Sequence, residues 1–361
     1  MSPKQNLPWH PSFKLNGLSF ETLADFEEFL SSIDQHGDNH ERDLAEFLTQ
    51  WLSPEANIVS YTSGTTGTPK KCYLSKDKMR LSAQNTGAFF DLGPGSEALL
   101  CLPLSFIAGK MMVVRALVLG WHLHVVAPTK DALTQYDSHY DFVALVPHQL
   151  AHSYRALDKV KTLIVGGGVL PLHLEEKLQY SSVKAYATYG MTETLTHVAA
   201  RRLNGDERSE VYKAMPEVTF TNDDRGCLVI HAPNLLDHPL VTNDLVHLLD
   251  SYSFTYMGRV DDVINSGGVK HSPEAIERKL RQYLSGNFVI SSLPHESLGE
   301  QIVLVIDHSG PSKEAINQAM THLGSLERPK LILNLESIPV TNTGKVKRKQ
   351  LRDSIRSQTN L

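Results

Sequence analysis

A chain of 361 residues, 41% hydrophobic and 21% charged, carries enough apolar mass for two or three domains' worth of core and has the balance of a globular protein in water. A formal net charge of −5 gives no reason to expect nucleic acid as a partner, and three scattered cysteines (Cys72, Cys101, Cys227) indicate neither a disulfide framework nor a zinc site. The opening Met-Ser-Pro-Lys-Gln-Asn lacks the basic start and apolar centre of a signal peptide, so the expected location is the reducing cytoplasm.

Residues 21–52 predict two amphipathic helices, with Leu23, Phe26 and Leu30 on one stripe and Leu44, Leu48 and Trp51 on the other. His36 and His40 are separated by Gly37, Asp38 and Asn39, which read as a turn rather than a metal site. After the apolar pair Ile58-Val59 comes Tyr61-Thr62-Ser63-Gly64-Thr65-Thr66-Gly67-Thr68-Pro69-Lys70. Gly64 and Gly67 let main-chain N–H groups approach an oxyanion, the hydroxyls add donors, and Lys70 adds positive charge. The stretch is suited to holding a polyphosphate. It is not a Walker A loop, because Pro69 separates the glycines from the lysine and Lys71 follows where Ser or Thr is required.

Short apolar strands at 98–102, 122–127, 142–146 and 162–165 alternate with helical stretches as far as about 257, which predicts α/β layers with largely parallel sheets. The apolar run 101–121 contains Pro103, Lys110 and Arg115; two charges near its middle exclude a membrane span. It predicts a strand end, a turn at Ala108-Gly109 and a buried helix over about 110–119. Gly166-Gly167-Gly168 follows a strand, where three glycines let backbone approach a flat ring, although a plain strand-exit turn competes with that reading. Near Gly258-Arg259 the pattern changes: Ser272-Pro273-Glu274 starts a helix lined by Ile276, Leu280 and Leu284. Strands at 288–290, 302–306 and 331–335 and a helix near 312–323 complete a separate α+β domain of about 100 residues.

The decapeptide, Thr188-Tyr189-Gly190-Met191-Thr192-Glu193, Thr242-Asn243-Asp244, the stretch from Gly258 to Lys270, and Pro339 with Gly344-Lys345 and Arg348 occur in one order over most of the chain. In that company the chain resembles the adenylate-forming superfamily of acyl-CoA synthetases, peptide-synthetase adenylation domains and luciferases. The resemblance implies a large N-terminal domain of layered sheets and helices (1–257), binding ATP and the acid, and a small mobile C-terminal domain (258–361). It implies that Thr62, Ser63, Gly64, Thr65, Thr66, Gly67 and Lys70 grip the triphosphate, and that Gly166, Gly167 and Gly168 border adenine. Tyr189 would pack on the adenine, Thr192 contact the α-phosphate, and Glu193 bind Mg²⁺; an aromatic face suits a purine and a hard carboxylate suits that ion. Asp244 would accept from both ribose hydroxyls, with Asn243 replacing the family's glycine, and Arg259 would contact ribose. Asp261 aligns with the hinge, and Gly268 and Lys270 with positions that meet CoA. Lys345 would bridge the acid carboxylate and the α-phosphate, where an ammonium stabilises charge growing on phosphate and departing pyrophosphate.

The implied activity is a two-step ligation: acid plus ATP to acyl-adenylate and pyrophosphate, then CoA to acyl-CoA and AMP. Only 60 residues precede the phosphate loop, where relatives place a much longer segment, so a small acid is expected. Residues 102–110 and Arg115 resemble the short bacterial 2-succinylbenzoate–CoA ligases of menaquinone synthesis, although Phe106 stands where many relatives have His. The second carboxylate of such an acid needs a cationic partner. Lys110 and Arg115 lie about 140° apart on a helix, so one faces the pocket. Lys110 is expected there, with Arg115 in packing or an ion pair; a lysine reaching to solvent is the competing reading. Another small aryl or acyl acid, or a nucleotide-binding protein without catalysis, remain the alternatives.

Overall fold

The computed structural model describes residues 7–62, 70–168, 170–340 and 346–359. They separate into two compact units, one drawn from Met1–Leu170, Leu174–Thr219 and His231–Pro239, the other from Pro171–His173, Phe220–Ile230 and Leu240–Leu361. Among the described residues no helix is long and apolar enough to cross a membrane.

In the first unit the N-terminal helices run Leu23–His36 and Asn39–Leu52. Thr22 Oγ1 accepts from Asp25 N while Asp25 Oδ2 accepts from Thr22 N, both at 3.1 Å, so the first turn's open amides are satisfied reciprocally. Phe26, Leu30, Leu44, Leu48 and Trp51 are buried as their spacing predicts. Leu23, the first helical residue, stays 38% exposed beyond the end of that seam.

Six strands of this unit run parallel, in the spatial order Lys14–Leu15, His122–Val125, Glu97–Leu100, Tyr140–Leu145, Val160–Val165 and Lys184–Gly190. The crossover helix Ile107–Leu119 begins three residues before its expected start, because Phe106 in extended backbone already ends the preceding segment. Gly109 is required there: a Cβ would run into the Pro103 carbonyl oxygen. Met111, Met112, Val113, Val114, Ala116 and Leu117 are fully buried, so the helix is enclosed on all sides and shows no polar stripe.

The parallel alternation ends at Gly190, well before residue 257. His197–Arg202 and Val211–Ala214 add antiparallel to the sheet's end. The connections at 191–196 and 203–210 are too short for a helical crossover, which parallel pairing requires. The parallel strands leave their carboxyl ends along one edge, where 101–106, 166–168 and 190–196 emerge; open α/β sheets bind ligands at that edge.

The second unit contains an antiparallel series in the order Ser253–Arg259, Leu240–Asp250, Cys227–His231 and Thr219–Asn222. Its C-terminal part has a hairpin, Ile264–Ser266 with Val269–His271, and the long pair Phe288–His295 with Gly299–Ile306. Alternation along that pair divides two cores. Phe288, Ile290, Ile302 and Leu304 pack with Ile276 and Leu280 of helix Pro273–Leu280 and with Ile316 of helix Lys313–Met320. Val289, Leu293, Val303 and Val305 pack with Leu351 and Ile355 of helix Arg348–Thr359.

Candidate active site

Strand register places the first unit's candidate residues. Val165 pairs with Ala187, so Gly166 comes beside Thr188, and a Cβ on Gly166 would lie 2.5 Å from Thr188 Oγ1. Gly167 adopts φ +76°, the left-handed region that glycine enters without strain. Gly166 and Gly167 are therefore needed by the strand exit itself, which passes beside the strand carrying Tyr189. The Tyr189 ring meets Tyr212 edge-on, with centroids 6.0 Å apart.

Residues 191–196 form a tight turn. Thr194 is fully buried; its Oγ1 accepts from Met191 N at 3.0 Å and contacts the Thr196 carbonyl at 2.7 Å. Leu195 takes φ +64°, a conformation that costs a branched residue energy and that recurs at functional sites. With the turn so fixed, Glu193 is exposed and has no partner among the described residues. Its carboxylate is a hard oxygen donor of the kind Mg²⁺ takes together with phosphate oxygens.

Helix Ile107–Leu119 carries the two expected acid-binding cations, and they differ sharply. Lys110 is half-buried, and its ammonium donates to the Leu104 carbonyl at 2.6 Å and lies 5.5 Å from the Phe47 ring centroid. Burial lowers its pKa, and Glu46 and Asp43 nearby oppose that shift. Arg115 is 2% exposed. Its Nε donates to Thr86 Oγ1 at 3.2 Å, Nη2 to Thr196 Oγ1 at 2.9 Å, and Nη1, among the described residues, meets only the Met112 sulfur at 3.6 Å. Burial alone, with no carboxylate opposing it, pulls this guanidinium down to about 9. Phe106, at the head of the helix, is 55% exposed.

His197 joins this group and was not singled out from the sequence. Fully enclosed, its Nε2 lies 3.3 Å from Thr86 Oγ1 and its Nδ1 3.2 Å from Thr196 Oγ1. The signal was present: the residue follows the Tyr189–Glu193 motif by four positions. A lone histidine on an apolar strand carries no mark of its partners, though.

In the second unit Asp244 and Arg259 are direct cross-strand partners. Arg259 Nη1 lies 3.2 Å from Asp244 Oδ1, and its Nη2 donates to Asp261 Oδ2 at 3.0 Å. Asn243 Nδ2 also donates to Asp261 at 3.1 Å. The Arg259 hydrogen bond, then that of Asn243, holds the Asp261 carboxyl below the usual carboxylate range. Gly267 and Gly268 turn the hairpin with φ +60° and +81°, leaving Lys270 exposed on its return strand.

Ser63, Gly64, Thr65, Thr66, Gly67 and Lys345 lie outside the described residues, as do the side chains of Thr62 and Lys70. The strands flanking the first group, Asn57–Thr62 and Lys70–Ser75, pair antiparallel with Thr62 opposite Lys70. Beyond Lys345 the chain is anchored at Arg348. Its guanidinium lies 2.9 Å from Glu274, 3.2 Å from Glu277 and 3.6 Å from Asp262, and donates to the Ile290 carbonyl at 3.0 Å. Asp262 also takes Arg352 at 3.3 Å, so the segment beside Asp261 and the root of the Lys345 segment share one ion cluster.

Residues 14–222 match the AMP-binding enzyme family. The chain is 24% identical to the 2-succinylbenzoate–CoA ligase of Salmonella typhimurium over 288 residues, covering 74% of this chain and 62% of that protein's length. It is similar to a solved acyl-CoA synthetase (AMP-forming)/AMP-acid ligase II-like protein of Dyadobacter fermentans, at 32% identity and a TM-score of 0.62 over 91% of this chain and 98% of the other. An o-succinylbenzoate CoA synthetase of Bacillus subtilis, solved with the acyl-adenylate OSB-AMP, shares the fold at 19% identity and a TM-score of 0.68, over 82% of this chain and 68% of the other.

Proposed function

The chain belongs to the AMP-binding enzyme family, and on that premise we propose that it is an ATP-dependent acid–CoA ligase acting on 2-succinylbenzoate, in menaquinone synthesis. In the first step a carboxylate oxygen of the acid attacks the α-phosphorus of ATP, the bond to the β-phosphate breaks, and pyrophosphate leaves. In the second the CoA thiolate attacks the acyl carbon of the mixed anhydride, and AMP departs with the bonding pair. A bare carboxylate resists nucleophiles because of its charge; adenylation supplies the leaving group it lacks.

Each residue has one task in this scheme. Residues 62–70 grip the triphosphate, Gly166–Gly168 and Tyr189 bound the adenine, and Thr192 meets the α-phosphate. Asp244, steadied by Arg259, accepts from the ribose hydroxyls. Glu193 would hold Mg²⁺, which when bound neutralises phosphate charge; the exposed carboxylate fits that role. Lys345 stabilises the first transition state, where charge moves onto the leaving group. Rotation of 258–361 about Asp261 then brings Gly268 and Lys270 to CoA.

The observation that carries the choice of acid is Arg115. A buried guanidinium with no carboxylate among the described residues is costly, and an anionic ligand removes that cost. Arg115 therefore replaces Lys110 as the preferred partner of the acid's second carboxylate, since the Lys110 ammonium is already bound to Leu104.

The test is AMP and pyrophosphate formation with a panel of acids in the presence of ATP, Mg²⁺ and CoA. 2-Succinylbenzoate should give the highest kcat/KM, and Arg115→Met should raise its KM more than tenfold while Lys110→Met moves it less. Faster turnover of a monocarboxylate by the wild type would assign another acid. If no acid forms AMP, the protein binds nucleotide without this chemistry.

A further inference from the structure

Arg115, Thr86, His197 and Thr196 form a closed ring of hydrogen bonds, and counting protons fixes its direction. Thr86 Oγ1 has one hydrogen, and its contact with the Ser82 carbonyl at 3.0 Å uses it, since a carbonyl only accepts. The same oxygen must therefore accept from Arg115 Nε at 3.2 Å and from His197 Nε2 at 3.3 Å. His197 is then protonated on Nε2. As a neutral ring it accepts on Nδ1, so Thr196 donates to it at 3.2 Å and accepts from Arg115 Nη2 at 2.9 Å. Every oxygen of the ring is satisfied in this one pattern, and the imidazole braces both threonines that hold the guanidinium.

The consequence falls on the third nitrogen. With Nε and Nη2 committed, Nη1 faces only the Met112 thioether among the described residues, a weak acceptor. A planar guanidinium fixed on two nitrogens presents the remaining hydrogens in a set direction, which is what discrimination between carboxylates requires. Arg115 and His197 do not pair with each other, and burial and the Arg115 charge both hold the His197 pKa well below its ordinary value, which keeps the ring neutral beside the cation.

We propose that His197 is a positioning residue for acid selection, setting through Thr86 and Thr196 the direction in which Arg115 offers its guanidinium to the second carboxylate of a dicarboxylic substrate. The assignment rests on the reading of Arg115 given above.

The test compares kcat/KM for 2-succinylbenzoate with that for benzoate, which lacks the second carboxylate, in the wild type and in His197→Phe, Thr196→Val, His197→Gln and Arg115→Met. His197→Phe keeps a ring of similar size and removes both bonds. It should raise the KM for the diacid at least tenfold and lower the diacid-to-benzoate ratio toward that of Arg115→Met, while the KM for ATP moves less than twofold. His197→Gln, whose amide can still donate to Thr86, should recover part of the ratio. If His197→Phe fails to fold, Thr196→Val breaks the ring at its half-buried member and must lower the ratio in the same way. Wild-type discrimination in the His197 and Thr196 variants, alongside its loss in Arg115→Met, overturns the positioning role and leaves the Arg115 reading intact. Unchanged discrimination in Arg115→Met overturns both.

Discussion

Asp244 and Arg259 face each other across two antiparallel strands, with Arg259 Nη1 3.2 Å from Asp244 Oδ1, and the other arm of the same guanidinium holds Asp261 at 3.0 Å. The residue expected to bind ribose and the residue expected to act as hinge are thus held by one arginine. Asp244→Asn keeps the shape and removes the charge that Arg259 and the ribose hydroxyls share. A charge-assisted hydrogen bond contributes about 1.5–3 kcal/mol, so the KM for ATP should rise by about 10- to 100-fold, with the KM for the acid changing far less. Initial rates of pyrophosphate release at varied ATP decide this, and an unaltered ATP KM refutes the assignment.

Lys345 is assigned to the adenylation step alone. Lys345→Ala should slow adenylate formation, followed by ATP–pyrophosphate exchange, by about 10²-fold or more, the usual cost of losing one transition-state charge donor. Conversion of preformed acyl-adenylate by CoA should fall much less. Equal losses in the two half-reactions would contradict the division of labour.

Arg348 neutralises a group of acids that are themselves mostly buried, with side-chain exposures of 13% for Glu277 and 20% for Glu274. Arg348→Met leaves those carboxylates without their cationic partner, holding only the Ile290 amide and the Ser272 hydroxyl among the described residues. Breaking a buried pair in this way costs about 3–5 kcal/mol, measurable by urea denaturation of the full chain. Adding Glu277→Gln to Arg348→Met should recover part of the loss, because the unpaired charge is then gone.

Acid should weaken the fold through His197. Its folded pKa lies well below the ordinary histidine value, because burial and the Arg115 charge both disfavour the imidazolium. Below about pH 6.5 the unfolded chain takes up a proton that the folded chain refuses. Stability from this group is therefore complete above pH 6.5 and falls as pH drops, with a slope reaching about 1.4 kcal/mol per pH unit. Urea midpoints from pH 8 to pH 5 should decline more steeply in the wild type than in His197→Gln. Parallel profiles would show that this histidine does not titrate as its burial requires.

The N-terminal helices were legible in the sequence because their apolar spacing repeats within one element, and the buried helix at about 110–119 and the strand cores at 288–290 and 302–306 because each is a continuous apolar run; the full strands Phe288–His295 and Gly299–Ile306 and their pairing were not. The end of parallel pairing at Gly190 was not. Apolar strands look alike whichever direction they run, and only connection length separates them. Within the candidate site, Asp244 and Arg259 were each marked by their motifs, but that they pair was not, since they stand fifteen positions apart with a register shift at Leu245/Val246 between them.

The sequence by itself determined the chemistry available: the glycine- and hydroxyl-rich stretch at 61–70, the Tyr189–Glu193 motif, and the lysine at 345 between a glycine and a downstream arginine. Those features are local, and local composition is what a sequence displays. The tertiary structure decided which cation is left for an anion. Lys110 and Arg115 are equivalent as letters on one helix. Folding turns Lys110 onto a carbonyl and encloses Arg115 among Thr86 and the adjacent pair Thr196 and His197, brought together from distant stretches of the chain. Burial without a counter-charge is a property of that enclosure, and no spacing along the chain records it.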